Sequence, residues 1–285
     1  MPAGREDGLS RLFVTDIVRI LREEERIESI SRSTVWRILD RDALKPWRQH
    51  SWVFPRDPLF YERAAPVLDL YHRIWRRKPL RNDEYVISAD EKTGLQVLRR
   101  LHPSALVPDG NGLRVEHEYV RKGVWAYLAA WDVHRARLFD RVEEKTGIEP
   151  FGRLVDQVMR TEPYRSARRV FWIVDGGSSH HRATFAARLS AQYPNAVAAH
   201  LPVHASWLNQ IEIYFSILQR KALTPVDFAD PQQARRRLLA FGDLFRQHAT
   251  PFQWNYTRAK LRDFLAKLPP LVTATESATS RRRAA

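Results

Sequence analysis

The pattern of apolar and polar positions changes character along the chain. Residues 9–24, LSRLFVTDIVRILREE, set Leu12, Ile17, Ile20 and Leu21 at roughly helical spacing, and RIESI then breaks the pattern. Ser31 or Ser33 can cap a second helix, STVWRILDRD, with Val35, Ile38 and Leu39 turned inward. Two helices joined by a tight turn predict either a helix-turn-helix or a plain helical hairpin. In the DNA-binding case the N-terminal residues of the second helix, Arg32, Ser33, Thr34 and Arg37, enter the major groove. Residues 45–58, KPWRQHSWVFPRDP, have no period and predict a linker or an extended arm. Lys45 and Arg48 suit such an arm to a DNA groove, while Trp47 and Trp52 equally suit it to being pinned on the domain. YERAAPVLDLYHRIWRRKP then reads as a connecting helix.

From residue 85 the period becomes that of strands. EYVISAD is a short apolar strand ending in Asp90, with KTG as the turn after it. GVWAYLAAWD and RARLFDRV form a hairpin around DVHR. A helix at about 148–163 turns Phe151, Leu154, Val155, Val158 and Met159 inward. RVFWIVD is a fully apolar strand ending in Asp175, followed by GGSSHH, a helix at 181–192 and a last strand, NAVAAHL. LPVHASWLNQIEIYFSILQRK leads into a helix with Trp207, Leu208, Ile211, Tyr214, Phe215 and Leu218 on one face. Residues 230–268 predict two further helices, and TATESATSRRRAA a disordered basic tail. The implied division is a helix-turn-helix region at 1–45, a linker and connecting helix at 46–84, an α/β domain at 85–270 and a tail at 271–285.

Three strands, then helix, strand, helix, strand, helix predict a mixed five-stranded sheet flanked by helices, because parallel strands require right-handed helical crossovers. The first and fourth strands then lie side by side, with Asp90 and Asp175 on the same edge. Glu212, one and a half turns into the next helix, can point back at both. Three carboxylates converging on one point repel unless cations lie between them, and hard oxygen ligands select Mg²⁺ or Mn²⁺. Two such ions, roughly 4 Å apart, would activate a water or a 3′-hydroxyl and stabilise the leaving oxygen of a phosphodiester. The alternative, three unrelated surface acids, leaves unexplained why two of them end strongly apolar strands.

Composition narrows the chemistry. The 285 residues contain no cysteine, which excludes disulfides, zinc-thiolate sites and cysteine nucleophiles. No stretch approaches the ~20 apolar residues of a membrane span, and the N-terminus lacks a signal pattern, so a cytoplasmic protein without a membrane partner is expected. The formal charge is +14, and residues 220–285 supply +8 of it, 13 basic against 5 acidic side chains. Such a field favours a polyanion, and nucleic acid is the commonest one in a cytoplasm.

ISADEKTG, VDGGSSHH and the block from 201 to 221 resemble the three catalytic blocks of DDE transposases, in the bacterial insertion-sequence branch of the mariner-like superfamily. LTPVDFAD and PFQWNYTRAKL are also similar to that branch, so the resemblance covers about residues 30–270. It implies an RNase H-like fold with Asp90, Asp175 and Glu212 as both catalytic and metal-binding triad. It also implies nicking at transposon inverted-repeat ends and transfer of the freed 3′-OH to target DNA, typically at TA, by a homodimer in the synaptic complex. Relatives usually carry two helix-turn-helix units, whereas residues 1–45 suffice for one, so a truncated region for recognising the ends is expected. A different class remains open: a transposase-derived protein that binds DNA without catalysis.

Among the remaining polar residues, His204 and Asn209 are candidates for contacting DNA or ordering metal-bound water, and His204 could instead bond a loop carbonyl. His180 and His181 have the same two readings, with helix capping as the plain one. Gly176 and Gly177 permit a tight turn through which DNA can approach Asp175, or an ordinary strand-to-helix turn. Glu91 points to the opposite face of its strand from Asp90 and is left out of the triad, and Trp207 is assigned to the core.

Overall fold

The predicted strands form one sheet. In the computed structural model, which describes residues 13–24, 29–42, 55, 57–102, 105–106, 113–224 and 227–268, the sheet has five strands. They are β1 (Glu84–Arg100), β2 (Tyr119–Asp132), β3 (Arg137–Glu143), β4 (Arg169–Val174) and β5 (Ala196–His200), in the order β3-β2-β1-β4-β5. β1, β2 and β3 pair antiparallel, while β4 runs parallel to both β1 and β5. The β2–β3 turn is set by buried Asp132, whose carboxylate accepts the N–H groups of His134 and Arg135 at 3.1 Å each and the Tyr164 hydroxyl at 2.7 Å. Between the parallel strands run the crossovers α4 (Ile148–Met159) and α5 (Arg182–Gln192).

The remaining helices are α1 (Val14–Glu23), α2 (Arg32–Asp42), α3 (Phe60–Tyr71), α6 (Ile211–Leu218), α7 (Pro231–His248) and α8 (Arg258–Ala266). Side-chain alternation divides the core between the two faces of the sheet. Val86, Tyr127, Trp131, Phe171 and Ile173 pack under α3, α6, α7 and α8. Ile87, Ala89, Leu128, Trp172 and Val174 pack under α4 and α5. Because the central strands are covered on both faces, they read as apolar runs rather than as alternation.

Four expectations change. Strand β1 does not stop at Asp90: β2 offers a partner as far as Arg100, and KTG becomes a bulge with Gly94 at φ 63° instead of a turn. The connecting helix ends at Tyr71, where Arg73 takes φ 58° and a two-residue ladder, Ile74–Trp75 on Lys78–Pro79, begins. Ile38, expected inward on α2, is exposed. Helix α6 starts at Ile211, after a 3₁₀ turn at Ser206–Leu208, so Glu212 stands in its first turn.

Helix α1 reaches the α/β body through Lys221, whose ammonium lies 2.6 Å from the Asp16 carboxylate and over the Phe13 ring. On the other side of α6, a buried polar chain ties it to α7 and the sheet. The Tyr127 hydroxyl donates to Asp140 at 2.7 Å and lies 2.6 Å from the Tyr214 hydroxyl, and Arg246 of α7 pairs with the same Asp140 carboxylate. Gly242 makes this possible, since a Cβ there would collide with the Asp140 carboxylate. Asp140 is almost fully buried, so removing its cation leaves an uncompensated charge. Arg246→Ala is therefore expected to lower unfolding stability in urea by about 2 kcal/mol, less than for a fully enclosed pair because Arg246 is partly exposed.

Candidate metal centre

Asp90 and Asp175 meet because of strand register. Ser88 lies opposite Ile173 in the parallel β1–β4 pair, so continuing both chains by two residues sets Asp90 opposite Asp175. Neighbouring strands are about 4.8 Å apart, and residues two apart share a face. Asp90 therefore follows Val86 and Ser88, and Asp175 follows Phe171 and Ile173, onto the face covered by α6. Glu212 belongs to the first turn of that helix.

The ligating atoms of Asp90, Asp175 and His180 lie within 4.8 Å of one another. His180 is buried against Phe151 and Phe185, and its Nδ1–H is directed at Asp175, 2.9 Å from Oδ1 and 3.0 Å from the backbone carbonyl. Its Nε2 lies 3.8 Å from Asp90 Oδ1. The Gly177 N–H donates to Asp175 Oδ1 at 2.7 Å, and a Cβ on Gly177 would come within 2.8 Å of the His180 ring and 3.0 Å of that oxygen. Gly177 is thus required by the close packing of Asp175 on His180, whereas a Cβ on Gly176 would meet open space.

The two aspartates hold their protons differently. Burial and the nearby charge of Asp175 push Asp90 up to about 7, against the Glu91 N–H bond and the pull of His180. Burial also raises Asp175, but the hydrogen bonds from His180 and Gly177 outweigh it and bring its carboxyl below the ordinary range. Burial lowers His180, and the bond and charge of Asp175 reverse that, leaving its imidazole above the ordinary value. Glu212 is half-buried and raised by burial, with Lys92 opposing and Asp175 adding to the shift. Asp175 thus acts electrostatically on both other carboxylates. The expected triad is therefore only partly assembled: among the described residues Asp90 and Asp175 come together with His180, and Glu212 stands outside that group. A divalent cation fits the aspartate pair, because hard oxygens converge where their own charges are otherwise poorly balanced.

Behind Asp90 stands a scaffold built by Asn209. It is fully buried, and its Nδ2 donates to Asp90 Oδ2 at 3.2 Å and to the Ala89 carbonyl at 3.1 Å. Its Oδ1 accepts from the Ser88 hydroxyl, which in turn receives the Ile211 N–H at 2.9 Å. The sequence makes Asn209 a candidate for touching DNA; its burial places it behind the carboxylate instead. Ser88 and Lys92 are additions to the site that sequence reasoning missed, although both sit two residues from Asp90 and that period is legible. Glu91 does face away, where it accepts from Ser179 at 2.8 Å.

The other candidates lie elsewhere. His204 is exposed at φ 59° beside a surface cavity of about 460 Å³ lined by Asp57, Leu59 and Arg63. His181 is exposed and caps α5 through its backbone carbonyl, 2.8 Å from the Phe185 N–H. Trp207 is partly exposed, with its ring 6.4 Å from that of Phe60 and 5.5 Å from that of Tyr256, and so is not in the core. On α2, Arg32, Ser33 and Arg37 are exposed, whereas the Thr34 hydroxyl lies 2.8 Å from that of Ser31, which also accepts the Thr34 N–H at 3.1 Å. Lys45 and Arg48 lie outside the described residues.

No helix among the described residues is long and apolar enough to cross a membrane. No curated protein matches the chain. Among solved structures, the mariner Mos1 paired-end complex with Mn matches 84% of this chain and 73% of its own, at 17% identity and a TM-score of 0.51. A pre-cleavage Mos1 transpososome matches 90% and 76%, at 15% identity and a TM-score of 0.47. The first likeness shows a shared RNase H-like fold. A family model described as DDE superfamily endonuclease matches residues 85–234, more than half of the sequence, a span that includes Asp90, Asp175 and Glu212. The chain belongs to the DDE superfamily endonucleases.

Proposed function

We propose that this endonuclease is a transposase, with Asp90, Asp175 and Glu212 as its catalytic, metal-holding residues. It acts on double-stranded DNA, nicking transposon ends and joining the freed 3′-OH to a target, typically at TA, with two protomers pairing the ends. The observation that supports the reading is the approach of Asp90 and Asp175, whose ligating atoms lie within 4.8 Å of each other at the end of the parallel β1–β4 ladder. The similarity to a structure described as a Mos1 paired-end complex supports DNA ends as the substrate class. So does the basic charge of the chain.

Two bound Mg²⁺ or Mn²⁺ ions would supply an activated water or 3′-hydroxyl and charge stabilisation at the leaving oxygen. The chain's own contribution is placement. Asp175 is held by His180 and Gly177 with its Oδ2 left for a cation. Asp90 is aimed by Asn209, which is itself fixed through Ser88 to the start of α6. The positive charge of Lys92 acts on Glu212 and suits a role toward the phosphate. The exposed Arg32, Ser33 and Arg37, with Thr34, supply the helix-turn-helix contacts, Lys45 and Arg48 follow a groove, and His204 contacts the DNA flank.

Asp175→Asn is expected to reduce Mg²⁺-dependent nicking and strand transfer to background while duplex affinity stays nearly unchanged. Wild-type binding without cleavage at any divalent concentration would instead support a transposase-derived DNA-binding protein. Asn209→Ala is expected to raise the Mg²⁺ concentration for half-maximal nicking by about 10–100-fold, as for loss of other groups that orient metal ligands. An unchanged Mg²⁺ requirement would remove Asn209 from the site.

A further inference from the structure

Strand β1 carries Asp90 and then keeps going, and its continuation has no part in the reading given so far. Beyond Lys92 its strand partner among the described residues is β2, Leu95–Arg100 against Tyr119–Trp125, as a two-stranded ribbon whose Leu98 carbonyl also accepts the Phe228 N–H at 3.0 Å. Its parallel neighbour β4 ends at Val174, and β5 beyond it ends at His200. The ribbon therefore stands out from the edge on which Asp90 and Asp175 lie.

One side of it is anchored. Val97 and Trp125 pack with Phe228 and Ala234, the Trp125 indole donates to the Pro231 carbonyl at 2.8 Å, and Arg100 pairs with Asp227. The rest is exposed and basic. The segments LQVLRR (95–100) and YVRKGV (119–124) hold four cations and no acid. A bulge at Lys122, where Gly123 pairs with Val97 and Arg121 with Leu98, breaks the alternation, so that consecutive Arg121 and Lys122 are both exposed. Arg99, Arg121 and Lys122 have no carboxylate partner among the described residues.

We infer that this ribbon is a duplex-binding arm, in which Arg99, Arg121 and Lys122 contact the phosphate backbone of DNA whose scissile phosphate lies at Asp90 and Asp175. The inference rests on the reading that the protein acts on DNA. Nine residues of strand from Asp90 to Arg99 span at most about 30 Å, the length of about nine base pairs at 3.4 Å each. A rod-like duplex held at the catalytic edge runs alongside an arm that projects from that edge. Cations without acidic partners along the arm suit a polyanion, and contacts to phosphate carry no sequence preference. The exposed Tyr119, Val120 and Val124 make a protein partner the competing occupant.

The test compares the wild-type chain with an Arg99→Gln/Arg121→Gln/Lys122→Gln variant by fluorescence anisotropy on a mixed-sequence duplex of about 30 base pairs, in EDTA, from about 50 to about 200 mM salt. Circular dichroism and Tm establish that the variant is folded. Light scattering reports its oligomeric state. The expected result is at least tenfold weaker binding at low salt and a log–log salt slope shallower by about 2 to 3, near 0.9 for each phosphate no longer neutralised. Equal affinity and slope in a folded variant would overturn the arm, and a changed oligomeric state with unchanged slope would overturn it in favour of a protein partner. If the wild-type chain itself showed no salt-dependent affinity for the duplex, the DNA reading would fail rather than the arm alone.

Discussion

The structure depends on one pairing, the parallel register of β1 and β4. Slipping that register by one residue would turn Asp90 to the α4–α5 face while Asp175 stayed under α6, because side chains alternate with a period of two. The core forbids the slip. Val86 and Ser88 on one side and Ile87 and Ala89 on the other are already committed to different packing layers, with Phe171, Trp172 and Ile173 interleaved in the same way. The burial that stabilises the sheet is also what brings two aspartates to one level.

That convergence is electrostatically unfavourable, and the surroundings answer it unevenly. Asp175 receives the donors, from His180 and Gly177, and keeps its charge. Asp90 receives the Glu91 N–H and a single Asn209 N–H bond, which do not offset its burial and the charge of Asp175, so its carboxyl is raised. Glu212 comes from a separate element, the first turn of α6, and its position depends on the Ser88–Asn209–Ile211 chain that stitches that turn to β1. Asp175 and Asn209 both lie in connections just outside regular elements, and hydrogen bonds fix them there.

Much of this is legible in the sequence. Apolar runs ending in Asp90 and Asp175, separated by helical periods, lead to the strand order, the sheet topology and the shared edge. The extent of β1 is not legible, because the Lys92–Gly94 segment has the composition of a turn and only its partner strand makes it a bulge. The role of Asn209 is also hidden. A polar residue before a helix reads equally as a surface contact or a buried strut, and burial alone separates the two. His180 and His181 are adjacent in sequence, yet one is packed on Asp175 and the other caps a helix at the surface, a difference set by the 3₁₀ turn at Ser178–His180.

The central claim is that the three carboxylates share bound divalent cations. Crystals equilibrated with Mn²⁺ and measured at its absorption edge test it directly. The account requires anomalous density bonded to the carboxylates of both Asp90 and Asp175, and a second ion reaching Glu212. Density bound away from all three, or none at saturating Mn²⁺, would contradict it.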